Sequence, residues 1–316
     1  VRALAQPFPN GVSKLVANLR ARRQLRDYLH RHAFDIVHVN GSADHRLIDA
    51  LHPTAELFLV GDPEQLASVD AGTVLADISL AAKKEGTDLY RCTERLTSQY
   101  RYAVGSPIEQ VVKAVQSGDA DRLIEVLRPT RNSGGVVSWI DPSSKEAADL
   151  AAFESLGFAV RGHALEVVDL AGASKYVEVL EKLGELQLLC ASRSGQLGIA
   201  GWNRTVNQWI GTSTRKQWFI GRPILITKND HSNHLYNGDV GVVCADKDGG
   251  VRVVFDGIDG PREFPTVRLP EVETVHALTI HKSQGSEYQH AIVVLPTGRS
   301  RLLTRELLYT GVSRAR

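Results

Sequence analysis

Short apolar runs alternate with longer amphipathic stretches over the first hundred residues of the chain. Leu15 to Leu29 has the apolar periodicity of a helix with an arginine-rich polar face, and Ile48 to Leu51 fits the end of a second helix. Phe34 to Val39 and Glu56 to Val60 are compact apolar runs typical of buried strands. Strands that alternate with helices predict a parallel sheet covered on both faces.

A second region with the same texture begins near Leu96. It contains helical patterns at Pro107 to Ser117 and Asn203 to Ile210. Strand patterns occur at Val136 to Ile140 and at Leu186 to Ala191. This region therefore predicts a second α/β unit.

The stretch from Asp141 to Lys182 favours neither helix nor strand. Gly157, Gly162 and Gly172 interrupt every periodic pattern within it, and glycine weakens both kinds of element. No element is predicted there.

The texture changes between Trp218 and Leu269, where short β-rich runs are separated by turn signals. The runs are Pro223 to Thr227, Val240 to Val243 and Val251 to Phe255, and the turn pairs are Asn237-Gly238, Asp248-Gly249 and Asp256-Gly257. Such pairs favour tight hairpin turns, so the segment predicts a small antiparallel barrel inserted into the larger domain. Strand patterns of the α/β kind return at Thr274 to Ile280 and Ala291 to Leu295.

Composition narrows the class of protein without naming a function. With 316 residues, 43% of them hydrophobic and 23% charged, the chain suits a globular protein of two or three domains. No apolar stretch approaches a membrane span and no secretory signal opens the chain, so the cytoplasm is the expected compartment. The three cysteines lack metal-ligand spacing and are expected to be reduced thiols. A net charge of +1 neither demands nor excludes nucleic acid.

Polar side chains follow the strand that ends at Val60. The sequence continues Gly61-Asp-Pro-Glu-Gln65, which places Asp62 and Gln65 at the carboxyl edge of the predicted parallel sheet, where α/β proteins bind ligands. An amide at that edge can orient an attacking water and respond to a γ-phosphate. An ordinary strand-turn-helix connection capped by Asp62 explains the same residues equally well.

A second polar segment, Thr279-Ile-His-Lys-Ser-Gln-Gly-Ser-Glu287, lies between two apolar strands. Its many hydrogen-bond donors suit the phosphate oxygens of a DNA backbone, and Gly285 allows the main chain to approach a ligand closely. A merely polar loop is the alternative, but it leaves so many donors between buried strands unexplained.

Two segments that carry an arginine indicate little when each is taken alone. Leu96-Thr-Ser-Gln-Tyr-Arg101 on its own indicates a surface arginine. The segment from Leu303 to Arg316 predicts a helix with an apolar face that carries Arg314. An arginine on a rigid element facing a neighbouring domain can stabilise charge on a transferring phosphoryl group, although a solvated terminal arginine fits the isolated segment better.

Together and in this order, these segments resemble the RecD family of superfamily 1 DNA helicases. Leu57 to Ile78 is similar to the family's motif III, Leu96 to Tyr102 to motif IV, Val275 to Tyr288 to motif V, and Leu303 to Arg316 to motif VI. The resemblance implies an α/β fold of tandem RecA-like parallel-sheet domains with a small SH3-like β-barrel insertion. Residues 1–95 would form the end of the first domain, 96–217 with 271–316 the second, and 218–270 the barrel.

The resemblance also implies roles for individual residues. Gln65, Arg101 and Arg314 would be catalytic, with both arginines reaching the γ-phosphate of ATP from the second domain. Asp62, Gly285 and Glu287 would bind the nucleotide, Glu287 near the sugar. The DNA-binding residues would be Thr279, His281, Lys282, Ser283 and Gln284.

The sequence departs from the family in two places. No G-x-x-x-x-G-K-[ST] phosphate-binding loop occurs, and the expectation is that the loop precedes the point where this chain begins. After the first strand the family has Asp-Glu, for magnesium and water activation, whereas this chain has Asn40-Gly41. An excised segment and a degenerate site both explain this, and the intact motif VI favours excision.

The leading hypothesis is an ATP- and Mg²⁺-dependent translocase that unwinds DNA with the 5′ to 3′ polarity that the resemblance implies, in recombination and double-strand break repair. Its partners would be single-stranded DNA, duplex ends and the helicase or nuclease subunits of a RecBCD-like complex, with no membrane. The alternative is a catalytically inactive RecA-like scaffold that binds DNA or partner subunits.

Overall fold

The computed structural model describes residues 36–40, 56–66, 74–96, 101–212, 217–298 and 300–316. The chain divides into two compact units, Val1–Thr97 and Ser98–Arg316. The helices predicted at Leu15 to Leu29 and Ile48 to Leu51 lie outside the described residues. None of the helices in the described ranges combines the length and the apolar character of a transmembrane span.

The first unit contains the predicted pair of parallel strands. Strand β1 (Ile36–Asn40) pairs with β2 (Glu56–Val60), and the register places Asn40 beside Val60. Helices α1 (Val74–Ala81) and α2 (Asp88–Arg91) follow. Both strands therefore end at the same edge of the sheet, and β2 leads directly into Gly61.

The second unit is built on a three-stranded parallel sheet. Its strand order is β10 (His290–Val294), β3 (Leu186–Cys190) and β9 (Ala277–Thr279). The accompanying helices are α3 (Pro107–Ser117), α4 (Ala120–Leu127), α5 (Ala147–Gly172), α6 (Tyr176–Glu185), α7 (Ile199–Trp209) and α8 (Arg305–Val312). A mixed α/β fold with parallel sheets is thus confirmed.

An antiparallel sheet of five strands interrupts this unit. The strands run in the order β7 (Arg262–Pro265), β6 (Val251–Phe255), β5 (Val240–Ala245), β4 (Pro223–Ile226) and β8 (Val272–Thr274). The sheet extends to Thr274, past the predicted end at 270, because β8 pairs with β4 with Leu225 opposite Glu273. The chain then returns to the parallel sheet at β9, as predicted.

Helix α5 corrects the sequence reading of residues 141 to 182. It continues through Gly157 and Gly162 because packing outweighs their weak helix propensity. Val160 and Ala164 pack in the core of the parallel sheet, whereas Val167 and Ala171 pack with strands β5 and β6 of the antiparallel sheet. This one helix therefore supports both sheets.

The prediction of a strand at Val136 to Ile140 is wrong. The segment makes only an isolated bridge between Arg131 and Trp139. Ser133 folds the chain back on itself, since its hydroxyl accepts a hydrogen bond from Gly135 N and donates one to Val137 O. Local side-chain hydrogen bonds of this kind compete with regular strand pairing.

Candidate functional site

The turn after β2 holds Gln65 against Asp62. The Asp62 carboxylate accepts hydrogen bonds from Glu64 N at 3.0 Å and from Gln65 Nε2 at 2.9 Å. Leu75 packs closely over Gly61, since a Cβ atom there would lie 2.6 Å from Leu75 Cδ2. The two site residues predicted in the first unit are therefore adjacent, at the carboxyl edge shared by β1 and β2.

In the second unit, Arg101 binds a residue far away in sequence. Its Nε and Nη2 atoms lie 2.9 and 2.8 Å from Glu287 Oε1. Its Nη1 atom donates to Ser313 O at 2.8 Å. Arg101 thereby joins the segment that resembles motif IV to those that resemble motifs V and VI.

Arg314 is buried in the same cluster, with 2% of its surface exposed. Its guanidinium donates to Thr310 O, to Ser286 O and to Ser313 Oγ. The residue lies just beyond the end of α8, not on the helix as the sequence suggested. Arg101 and Arg314 both contact Ser313, so the structure brings the two predicted catalytic arginines together.

The segment after β9 folds into a tight 3-10 turn, His281–Ser283. Thr279 Oγ1 accepts from Lys282 N at 3.1 Å, and the fully buried Ser283 donates its hydroxyl to Ile280 O at 2.8 Å. These two hydroxyl groups brace the turn and do not face solvent. The side chains that reach outward are those of Gln284, which is exposed, and His281 and Lys282, which are half-buried.

Gly285 ends this turn in the left-handed region, with a φ of +85° and open space where a Cβ would lie. Any other residue would be strained at that φ. The glycine therefore positions Glu287 toward Arg101 by setting the direction of the chain, and it leaves the main chain open to a ligand.

A groove of about 630 Å³ opens beside Lys282, between α7 and the strands β8 and β9. We call it the basic groove because its lining includes Arg193, Arg204, Arg222 and Lys282. Glu273 is the only carboxylate among the described residues that line it. Lys282 Nζ lies 2.7 Å from Glu273 Oε2.

Two amide side chains hold the walls of the basic groove together. Asn203 on α7 donates to Thr274 O and accepts from Ala277 N, each at 3.0 Å. Asn207, one turn further along, hydrogen-bonds His276 Nε2 at 3.0 Å. These contacts fix α7 against the segment that joins the two sheets.

Burial also sets the charge of the nearby histidines. It lowers the pKa of His276 to about 3, and the proximity of Arg222 and His163 adds to the effect. Burial and the neighbouring Arg193 lower the pKa of His281 as well. Both imidazoles are therefore neutral at pH 7, and His281 can offer one N–H donor beside the permanently charged Arg193.

Sequence reasoning missed Arg193, Arg204 and Arg222. Arg193 follows β3 at the carboxyl edge of the sheet, which is a signal that could have identified it. Arg222 carries no such signal. It is 8% exposed, donates to Thr274 Oγ1 at 2.9 Å, and lies with its guanidinium 5.5 Å from the Trp218 ring centroid.

Comparison with known families gives two matches. Residues 37–141 match the family described as an AAA domain, and residues 274–316 match the family described as a UvrD-like helicase C-terminal domain. The second match includes β9, the 3-10 turn, Glu287 and Arg314. Arg101 lies in the first match.

Curated relatives carry RecD names. The RecBCD enzyme subunit RecD of Mycolicibacterium smegmatis is 42% identical over 86% of this chain and 46% of its own length. The corresponding subunit of Haemophilus influenzae is 32% identical, over 86% of this chain and 47% of its own. The ATP-dependent RecD2 DNA helicase of Deinococcus radiodurans is 30% identical, over 85% of this chain and 33% of its own.

These matches confirm the predicted resemblance: the chain is similar in sequence to RecD subunits and to a RecD2 DNA helicase. It spans about half the length of the RecBCD subunits it matches. Among solved structures, Pif1 helicase from Bacteroides with ADP-AlF3 and ssDNA aligns over 98% of this chain and 72% of its own, at 13% identity and a TM-score of 0.48. That likeness is too distant to carry an argument.

Proposed function

We propose that this chain is the motor of an ATP-dependent DNA translocase and helicase that acts in recombination and double-strand break repair. The observation that carries the proposal is the cluster of Arg101, Glu287, Ser313 and Arg314. Phosphoryl transfer relies on positioned cations that neutralise charge in the transition state. Two arginines held around one serine, in a RecD-like sequence, suit that task.

In this proposal each predicted nucleotide residue keeps a distinct task. Arg101 and Arg314 bind phosphate oxygens, Glu287 and Gly285 lie beside the sugar, and Gln65 senses the γ-phosphate. Because Arg101 pairs with Glu287, a phosphate must displace that carboxylate from the guanidinium in order to bind Arg101. Arg314 must likewise leave its carbonyl acceptors to reach a phosphate.

Magnesium fits the described residues only poorly. The positions where the family has Asp-Glu carry Asn40-Gly41, and the register places Asn40 beside Val60 at the edge that leads to Asp62. Asp62 is a carboxylate at this edge, but it already accepts two hydrogen bonds. Mg²⁺ is commonly held by substrate phosphates with one or two carboxylates, and here the phosphates of ATP would supply most of the ligands.

Single-stranded DNA is proposed to follow the basic groove. Lys282, Arg193 and Arg204 line the groove, and His281 and Gln284 lie at the two ends of the turn that carries Lys282. Cationic grooves bind the phosphate backbone of single strands without reading the bases. Thr279 and Ser283 then act by bracing the turn.

The finer assignments follow from the resemblance. The parallel sheets are proposed to be tandem RecA-like domains and the antiparallel sheet an SH3-like barrel. The domains would span 1–95, 96–217 with 275–316, and 218–274, the barrel extending beyond the predicted 270 because β8 belongs to the antiparallel sheet. ATP would shift the populations of the two domains' conformations and so move them 5′ to 3′ along the strand. The protein would act within a RecBCD-like complex in the cytoplasm, without a membrane.

The test is the ATPase rate of the complete protein with and without single-stranded DNA, together with unwinding of duplexes that carry either a 5′ or a 3′ single-stranded tail. We expect DNA-stimulated hydrolysis and unwinding from the 5′ tail only. DNA binding with no hydrolysis in either condition would instead identify the protein as an inactive RecA-like scaffold. Unwinding from the 3′ tail would refute the polarity alone.

A further inference from the structure

Among the described residues that line the basic groove, Glu273 is the one negative charge beside four positive ones. It stands on β8 of the antiparallel sheet, with 59% of its side chain exposed, and its carboxylate lies 2.7 Å from Lys282 Nζ. The other charged side chains that line the groove are Arg193, Arg204 and Arg222. A single carboxylate placed against the lysine of a proposed DNA path requires an explanation.

Both members of the pair are held by rigid backbone. Glu273 lies opposite Leu225 in the register of β8 and β4. The main chain of Lys282 is fixed by the hydrogen bond from its amide to Thr279 Oγ1. The flexible lysine side chain can therefore turn to another acceptor without any movement of the sheet or of the turn.

We propose that Glu273 competes with DNA phosphates for Lys282 and so limits the affinity of the groove for single strands. This inference rests on the proposed DNA path. In the free protein the carboxylate neutralises Lys282, and an incoming phosphodiester oxygen takes its place. Glu273 then remains beside the bound strand as a repelling charge, which favours release and suits a protein that must let go of DNA at every step.

The exposure of the pair makes such an exchange feasible. An ion pair with 30% and 59% of its two side chains exposed is weak, because water and salt screen it. A DNA phosphate carries the same charge as Glu273, and in the basic groove it also lies near the other cations. Lys282 thus loses little on leaving Glu273, whereas DNA gains a contact.

The experiment compares Glu273→Gln with Glu271→Gln in the complete protein. Glu271 is a matched control, since it lies two residues away and pairs with Lys228, and both of these are largely exposed. Titration of labelled oligothymidylate, without nucleotide, should show about threefold to tenfold tighter binding for Glu273→Gln, as expected for removing one unit charge several ångströms from a phosphate in water-rich surroundings. Glu271→Gln should bind like the unmodified protein.

Salt dependence separates competition from a general loss of negative charge. In Glu273→Gln the logarithm of affinity should fall more steeply with the logarithm of salt, by up to about 0.7, because Lys282 is no longer partly neutralised before binding. Glu273→Asp, which keeps the charge, should retain the unmodified affinity within about twofold.

A double variant tests whether Glu273 acts through Lys282. With Lys282→Ala in place, Glu273→Gln should gain less affinity than it does alone, because the two residues act as a pair. An equal gain in both backgrounds, or no gain in either, would overturn the competition even if the protein binds DNA. If the unmodified protein does not bind the oligonucleotide at all, the proposed function fails together with this inference.

Discussion

Arg101 and Glu287 form an ion pair although 186 positions separate them in the chain. The same arginine also donates to the carbonyl oxygen of Ser313, whose hydroxyl accepts from Arg314. The three segments that resemble motifs IV, V and VI are separate in the sequence but meet at this cluster. Because a buried or half-buried guanidinium needs several acceptors, the position of each segment here depends on the other two.

Arg314→Ala is expected to lower DNA-stimulated ATP turnover on the order of 10³-fold, a typical loss for an arginine that stabilises phosphoryl transfer. Nucleotide binding should change little, because such a residue acts mainly on charge that develops in the transition state. Turnover and binding of a fluorescent ATP analogue are measured on the same preparations.

The control for this prediction is Arg316→Ala, which removes a nearby exposed arginine. Since Arg314 also donates to two main-chain carbonyl groups, thermal unfolding must be recorded for both variants. A variant that loses stability but keeps its turnover per folded molecule would assign Arg314 a purely structural role.

Lys282→Ala should weaken binding of single-stranded DNA equally for all base sequences, because a lysine that contacts phosphate reads no base. The slope of log affinity against log salt should become shallower by up to about 0.7. Salt titrations of several labelled oligonucleotides measure both effects. Lys228→Ala, which removes an exposed and similarly paired lysine, is the matched control and should leave the slope unchanged. An unaltered slope in Lys282→Ala would show that this lysine makes no phosphate contact.

His276 should make the protein less stable in acid. Its folded pKa of about 3 lies below the usual value near 6.5, so the unfolded chain takes up a proton first as the pH falls. The contribution of His276 to stability is complete above pH 6.5 and is lost progressively as the pH falls from 6.5 toward 3. Urea unfolding across this range should show a smaller pH dependence in His276→Gln than in the unmodified protein. His290→Gln removes an exposed histidine, and an equal change there would contradict the assignment.

Gly221→Ala should lower the free energy of unfolding by about 2 to 4 kcal/mol, combining backbone strain with overpacking. Gly221 has a φ of +80°, and a Cβ atom there would lie 2.5 Å from Val168 Cγ2 and 2.7 Å from Val168 Cα. Urea unfolding measures the loss. Gly249→Ala isolates the strain, because Gly249 has a φ of +82° with open space around it. Equal losses in the two variants would mean that α5 yields to the added methyl group.

The sequence by itself determined the elements whose causes are local. Helix α3 spans Pro107–Ser117 as predicted, because Ser106 caps its first turn, Pro107 fits the first helical position and Gly118 ends it with a φ of +70°. Strands β2 and β6 also have the predicted limits, since apolar runs between turn residues specify them. The family resemblance could likewise be identified from the sequence, because each motif is a short run of neighbouring residues.

Only the tertiary structure decided what depends on contacts between distant segments. Helix α5 continues through Gly157 with Trp209 close against it, since a Cβ atom on this glycine would lie 3.6 Å from the Trp209 ring, and no local pattern predicts that neighbour. The basic groove needs α7, β8 and β9 side by side before Arg222 and Glu273 can share it. Propensity acts within a few residues, whereas burial, ion pairing and packing join side chains that are remote in the chain, and these determined how the predicted residues meet.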